Sequence, residues 1–265
     1  MNESKKLDQF YTNTKISQAC MYALEKDYNL EEYFLFEPSA GTGSFSDLFH
    51  ANSLAVDLDP KKDYIQKNDF LKLDNSLFKD NKVFTIGNPP FGKNSSLAIK
   101  FFNKAAEFSK YIAFIVPKTF KKVSLTNKLD LNFELIAEHE LPLNSFVFEE
   151  NEYSVPCVFQ IWKKSDVQRE KVSTDSSSDY FEFTSREYAD FAIRRVGGLA
   201  GKVIKNFETY KDSSHYFIKS KVNKTSLIKT LTNSYAELQS LARNSAGNPS
   251  LSKYELAHTL EGKWL

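Results

Sequence analysis

An α/β fold, with a mostly parallel sheet flanked by helices and a small C-terminal α+β unit, is predicted by three features of this 265-residue chain. Short apolar runs of strand length alternate with stretches of helical spacing. Acidic residues and a glycine loop stand where those runs end, which is where open parallel sheets bind ligands. A polar, serine-rich stretch without periodicity, residues 166–179, reads as a linker between a domain at 1–165 and a smaller unit at 180–265.

Composition narrows the class. Hydrophobic residues at 41% and charged residues at 26% describe an ordinary globular protein. No run approaches the roughly 20 apolar residues needed to span a bilayer, and the start is polar, so a cytoplasmic protein without membrane contact is expected. Cys20 and Cys157 have no zinc-ligand spacing, which predicts a reducing compartment, core positions and no metal. Net charge is +1, yet residues 171–265 hold 14 Lys and Arg against 10 Asp and Glu, a mild bias toward a polyanionic partner.

Each element follows in order. Ile16, Ala19, Cys20, Ala23 and Leu24 give Lys15–Leu24 helical spacing, with Thr12 or Asn13 as cap. Free amides at that helix start, beside Tyr11 and Thr12, suit a carboxylate. The aromatic strand Tyr33–Glu37 runs into Pro38-Ser39-Ala40-Gly41-Thr42-Gly43, and strand, glycine loop and helix form the context in which backbone approaches a nucleotide-like ligand. The next strand, Ser53–Val56, ends in Asp57, placed to accept both hydroxyls of a ribose. In Asn68-Asp69-Phe70, an acid can accept from an adenine amine and an aromatic can cover its ring.

The strongest chemical signal is Asn88-Pro89-Pro90-Phe91-Gly92, which closes the apolar strand Val83–Ile86. Two prolines stiffen the chain as it leaves the sheet. The Asn88 amide oxygen and the Pro89 carbonyl can both accept from one exocyclic NH₂ group. Accepting its two protons localises the nitrogen lone pair, so the interaction strengthens as positive charge develops on nitrogen. Phe91 can stack on the flat group that carries the amine. Ser96–Ser109 then reads as a helix, followed by strands at Tyr111–Val116, Phe133–Ala137 and Val155–Trp162. Beyond the linker, Arg194, Arg195 and Lys202 flank a glycine turn among aromatics, a pattern suited to a phosphate backbone with exposed bases or to a solvated hairpin. Leu227–Leu241 has amphipathic spacing, and Asn248-Pro249-Ser250 offers a cap for a last helix.

In this order the pieces resemble S-adenosylmethionine-dependent N6-adenine DNA methyltransferases whose cofactor motifs precede an Asn-Pro-Pro-Phe/Tyr motif. The resemblance covers residues 7–163. It implies a Rossmann-like methyltransferase fold, S-adenosyl-L-methionine as cofactor, and methyl transfer to adenine N6. Residues 7–12 look like the motif that closes over the methionine moiety, and Glu37 to Gly43 is similar to the family's glycine loop. Tyr11, Thr12, Glu37, Ser39, Gly41, Gly43, Asp57, Asp69, Phe70 and Asn88 are thereby expected around the cofactor, with Asn88, Pro89, Pro90 and Phe91 as the catalytic turn. The resemblance also implies an aromatic that stacks on the extruded base, placed at Phe148 with Phe146 as fallback. Glu149, Glu150 and Glu152 depart from the basic residues common there. DNA is the favoured substrate and structured RNA the alternative, ahead of protein glutamine or a non-enzymatic nucleic-acid-binding module. Residues 180–265 are expected to read the substrate, through Arg194, Arg195 and Lys202, or to bind a protein partner.

Overall fold

The protein is described from a computed structural model that covers residues 11–148 and 151–263, without the side chains of residues 147, 148 and 151–153. Two compact units, Met1–Lys171 and Val172–Leu265, make up the chain.

The first unit is built on β1 (Tyr11–Thr12), α1 (Thr14–Asp27), β2 (Phe34–Glu37), β3 (Ser53–Asp57), β4 (Gln66–Lys67), β5 (Val83–Gly87), α2 (Ser96–Ala106), β6 (Ser109–Pro117), α3 (Val123–Thr126), β7 (Phe133–Glu140), β8 (Phe146–Phe148), β9 (Asn151–Tyr153) and β10 (Cys157–Lys164). Seven strands form one sheet in the order β4-β3-β2-β5-β6-β10-β7. The pairs from β4 through β6 are parallel, and β10 runs antiparallel to both β6 and β7. This is the α/β architecture with a mostly parallel sheet that the alternating pattern predicts, in the Rossmann-like arrangement that the resemblance implies. The chain leaves β2 toward β3 on one side and later returns to β5 on the other, so a crevice opens where the order reverses.

Side chains explain why the strands read as continuous apolar runs. Along β6, Ile112, Phe114 and Val116 enter one core while Tyr111, Ala113 and Ile115 enter the other. Helix α2 covers the first face with Ala98, Phe101, Phe102 and Ala105, and α1 covers the second with Cys20, Met21 and Leu24. A strand buried on both sides has no polar alternation to display. Cys20 and Cys157 are both buried, and burial pushes both thiols up, Cys20 to about 12.

Of the two candidate caps, Asn13 caps α1, its side chain accepting from the Lys15 amide at 3.0 Å. One expectation is corrected here. The helix expected after the glycine loop is absent: Ser46–Leu48 forms one 3-10 turn. Phe45 is sealed in the core, and β3 begins at Ser53, which leaves too few residues for a helical crossover.

The stretch after β10 is fastened to this unit. Arg169 donates through Nε to the Phe133 carbonyl at 3.0 Å and through a terminal nitrogen to the Leu129 carbonyl at 3.0 Å, with its guanidinium 5.8 Å from the centre of the Trp162 ring.

The second unit holds β11 (Phe181–Thr184), β12 (Phe191–Arg194), β13 (Val203–Ile204) and β14 (His215–Ser220), ordered β11-β14-β12-β13 and all antiparallel. Helices α4 (Lys224–Asn233), α5 (Tyr235–Ala242) and α6 (Lys253–His258) complete it. Phe181, Phe191, Ile193 and Ile218 from the sheet meet Leu227, Leu231, Leu238 and Leu256 from the helices. The single helix expected at 227–241 breaks at Ser234, whose φ of −83° and ψ of 5° leave the helical region. The last helix is capped by Ser252 and Glu255 in a reciprocal box, not by Asn248. Among the described residues no helix is long and apolar enough to cross a membrane, and no three or more His, Cys, Asp or Glu side chains are grouped so as to hold a metal ion.

Candidate functional site

At the carboxyl ends of β2, β3 and β5 lies a cavity of about 330 Å³. Tyr11, Thr12, Glu37, Ser39, Gly41, Asp57, Asp69, Phe70, Asn88, Pro89, Pro90 and Phe91 all line it. Residues spread over 80 positions of sequence thus converge, because strands that are distant in sequence lie side by side at β3-β2-β5.

The glycine loop is set by hydrogen bonds and close contacts. The Gly41 amide donates to Asp57 Oδ2 at 2.8 Å, and the Asp59 amide donates to Oδ1 at 2.8 Å, so Asp57 ties the tip of β3 to the loop after β2. An ionised carboxylate has about four lone-pair sites, so each oxygen keeps capacity for a further donor. Gly41 has φ +51°, and a Cβ there would lie 2.8 Å from the Tyr11 ring. Ser44 Oγ donates to the Thr12 carbonyl at 2.8 Å, and β1 pairs with β8, Thr12 opposite Phe146. The Tyr11–Thr12 segment is therefore pinned over the loop from two sides. Burial raises the Tyr11 hydroxyl above its ordinary value.

Glu37 sits at the end of β2 with only 2% of its surface exposed, accepting from the Ser46 amide at 2.8 Å. Burial pushes its carboxyl well above the usual range, against the pull of the Ser46 hydrogen bonds. Ser39 Oγ donates to the Asn88 carbonyl at 3.1 Å, which joins the glycine loop directly to the Asn-Pro-Pro-Phe turn. Phe91 is half-buried, its ring edge-on to Phe146 at 6.1 Å between centroids. Asp69 accepts from the Leu71 amide at 3.1 Å and pairs with Lys72 at 3.2 Å.

Other expected site residues stand elsewhere. Gly43 does not line the cavity; with φ +80° it lies under Tyr64, whose hydroxyl a Cβ would strike, so its smallness serves packing within the loop. Phe70 reaches the cavity only at its margin, since it is 2% exposed and packs against Phe36 and Phe101. Phe146 is fully buried in the core and offers no open face for stacking. The Phe148 side chain, Glu149, Glu150, the Glu152 side chain and residues 7–10 lie outside the described residues.

Arg194, Arg195 and Lys202 belong to the second unit. Arg194 Nε donates to the Val196 carbonyl at 2.8 Å, and the Arg195 guanidinium lies 5.0 Å from the centre of the Tyr216 ring, so part of each charge is engaged within the fold. Lys202 is exposed. Leu58 was missed by sequence reading although it lines the cavity and is 54% exposed. Its position directly after Asp57, at a strand end, was the available signal.

Solved structures similar to part of this chain include three at low identity. A protein provisionally described as an RNA methyltransferase from Pyrococcus horikoshii is 18% identical, over 60% of this chain and 88% of its own, with a TM-score of 0.46. One described as a class I S-adenosylmethionine-dependent methyltransferase from Listeria monocytogenes is 17% identical over 62% and 63%, with a TM-score of 0.44. A modification subunit assigned to a type I restriction enzyme from Vibrio vulnificus is 15% identical over 59% and 45%, with a TM-score of 0.45. No curated protein matches the sequence. Residues 52–175, a stretch that includes Asp57, Asp69 and Asn88 to Phe91, match the family model of the EDM2 methyltransferase-like domain.

Proposed function

We propose that the protein transfers a methyl group from S-adenosyl-L-methionine to the N6 amine of adenine in nucleic acid, with DNA the favoured substrate. The observation that carries this reading is the convergence of the Asn88–Phe91 turn, Asp57 and the glycine loop on one cavity. The donor set fits the cofactor. Asp57 retains acceptor capacity for ribose hydroxyls, Leu58 offers an apolar surface to adenine, Asp69 can accept from its amine, and Tyr11, Thr12 and Ser39 offer polar groups to the methionine end. The volume lies within the range of small-molecule sites. When bound, the sulfonium supplies an electrophilic methyl.

The protein's own part is to hold the acceptor. Asn88 Oδ1 and the Pro89 carbonyl accept hydrogen bonds from the two amine N–H groups, which frees the nitrogen lone pair to point at the methyl, and the nitrogen sheds one of those protons to solvent once the new N–C bond replaces the methyl's bond to sulfur. Stabilisation rises with the positive charge on nitrogen, which is the condition for lowering a barrier rather than merely binding. Phe91 stacks on one face of the ring. A base paired in a duplex must be extruded first, at a cost of roughly a few kcal/mol. The mildly basic second unit then supplies Arg194, Arg195 and Lys202 to the backbone.

Labelled cofactor, incubated with matched DNA and RNA followed by nucleoside analysis, tests the reading. Labelled N6-methyladenosine only in RNA would move the substrate to RNA. Label in neither, or in cytosine, would overturn the adenine assignment. Asn88→Ala should retain cofactor binding by calorimetry and lose about 10²–10³ in turnover, the scale of removing one transition-state partner.

A further inference from the structure

Among the described residues the only non-glycine positions with positive φ are Asn94, at 54°, and Ser95, at 62°. They stand directly behind the Asn88–Phe91 turn, and Gly92 between them and Phe91 is also left-handed at 68°. Asparagine tolerates this region singly. Two successive side chains there set Cβ against carbonyl oxygen twice, and a chain keeps such a conformation only where its surroundings over-determine it.

Those surroundings are specific. The Leu97 and Ala98 amides both donate to the Phe91 carbonyl, at 3.1 and 3.3 Å, and the Ser95 amide donates to the Gly92 carbonyl at 3.2 Å. Ser95 is 6% exposed, and its hydroxyl lies 3.0 Å from Thr119 Oγ1. Thr119 belongs to the 3-10 turn Lys118–Lys121, which follows β6, the strand beside β5. A right-handed Asn94 and Ser95 would simply continue α2 backward by two residues. The left-handed pair instead swings the chain out of the helix while keeping Phe91 fastened to its first turn.

We propose that Asn94 and Ser95, clasped by Thr119, are positioning residues that fix Phe91 and Asn88 at the cavity for methyl transfer. The inference rests on the reading of Asn88–Phe91 given above. None of the three touches the reacting atoms. The strained pair sets the direction in which the turn enters the cavity, and the hydroxyl pair ties that turn to the neighbouring strand's loop.

Alanine at the exposed position 94 disfavours the left-handed backbone, whereas glycine keeps it at no steric cost. Asn94→Ala should turn over about tenfold more slowly, with KM for the cofactor unchanged, and Asn94→Gly should retain the wild-type rate. Thr119→Val, which lacks the clasp hydroxyl, should lose a similar factor in kcat, and Thr119→Ser, which keeps it, should retain the wild-type rate. Equal kcat in Asn94→Ala and Asn94→Gly, or equal kcat in Thr119→Val and Thr119→Ser, would overturn the proposal. Should Thr119→Val fail to fold, the Asn94 pair decides by itself. A wild-type chain that methylates neither DNA nor RNA ends the functional reading itself, and this inference with it.

Discussion

Glu37 shows how one residue couples burial to pH. Its carboxyl is sealed beneath the cavity and its folded pKa stands well above the ordinary value of 4.5. The folded state then holds the proton more tightly than the unfolded chain. Stability is fullest below about pH 4.5 and falls as pH rises from there through the folded pKa. Glu37→Gln keeps an oxygen for the Ser46 amide and removes the titration. Denaturant midpoints measured from pH 4 to 8 should decline less in Glu37→Gln than in the wild type, and parallel profiles would show that Glu37 is not the source. Asp57 and Asn88 were legible in the sequence because each ends a strand, and strand ends are where side chains leave the sheet. Phe146 was not. Two phenylalanines two positions apart give no local cue to which is enclosed, and only the contact with Phe91 and the surrounding core shows that Phe146 serves packing.

At the scale of elements, the turn between β5 and α2 concentrates the demands. Gly92 has φ +68°, and a Cβ there would meet Leu97 Cβ at 2.7 Å and the Leu97 amide nitrogen at 3.0 Å. Gly92→Ala should therefore lower stability by about 1–3 kcal/mol, from the left-handed penalty and the displaced helix start. Thermal or denaturant unfolding measures it, and a loss below about 0.5 kcal/mol would mean that the helix start shifts freely. Strands and α2 were readable because their apolar residues repeat at the expected spacing. The short crossover from β2 to β3 was misread as a helix because glycine loops so often precede one, although the seven residues from Ser46 to Asn52 leave little room for it. The pairing of β1 with β8 was invisible: a two-residue strand has no period, and its partner lies more than 130 positions away.

For the whole molecule, each unit carries its own core. Residues Phe181 to Leu260 of the second unit bury a complete set of sheet and helix side chains against one another. A fragment of residues 172–265 should fold cooperatively alone, with a dispersed amide spectrum and a single unfolding transition. A collapsed spectrum would show that this core is insufficient without the rest of the chain. The serine-rich run marked the neighbourhood of the division because such composition cannot form a core. The division between Lys171 and Val172 falls inside residues 166–179; the contacts of Arg169 with Phe133, Leu129 and Trp162 could not be read from the sequence, since they carry no local pattern.

Strand order also sets a timetable. β10 is the last strand of the large sheet to be synthesised, yet it lies between β6 and β7. On the ribosome those two strands can wait only with a strand-wide gap between them, each exposing an unsatisfied edge, until residue 164 has emerged. Such edges are templates for pairing with other chains. The first unit therefore cannot close its sheet progressively from the N-terminus. Its nascent chain is most exposed to misassociation during the interval between translation of β7 and release of β10.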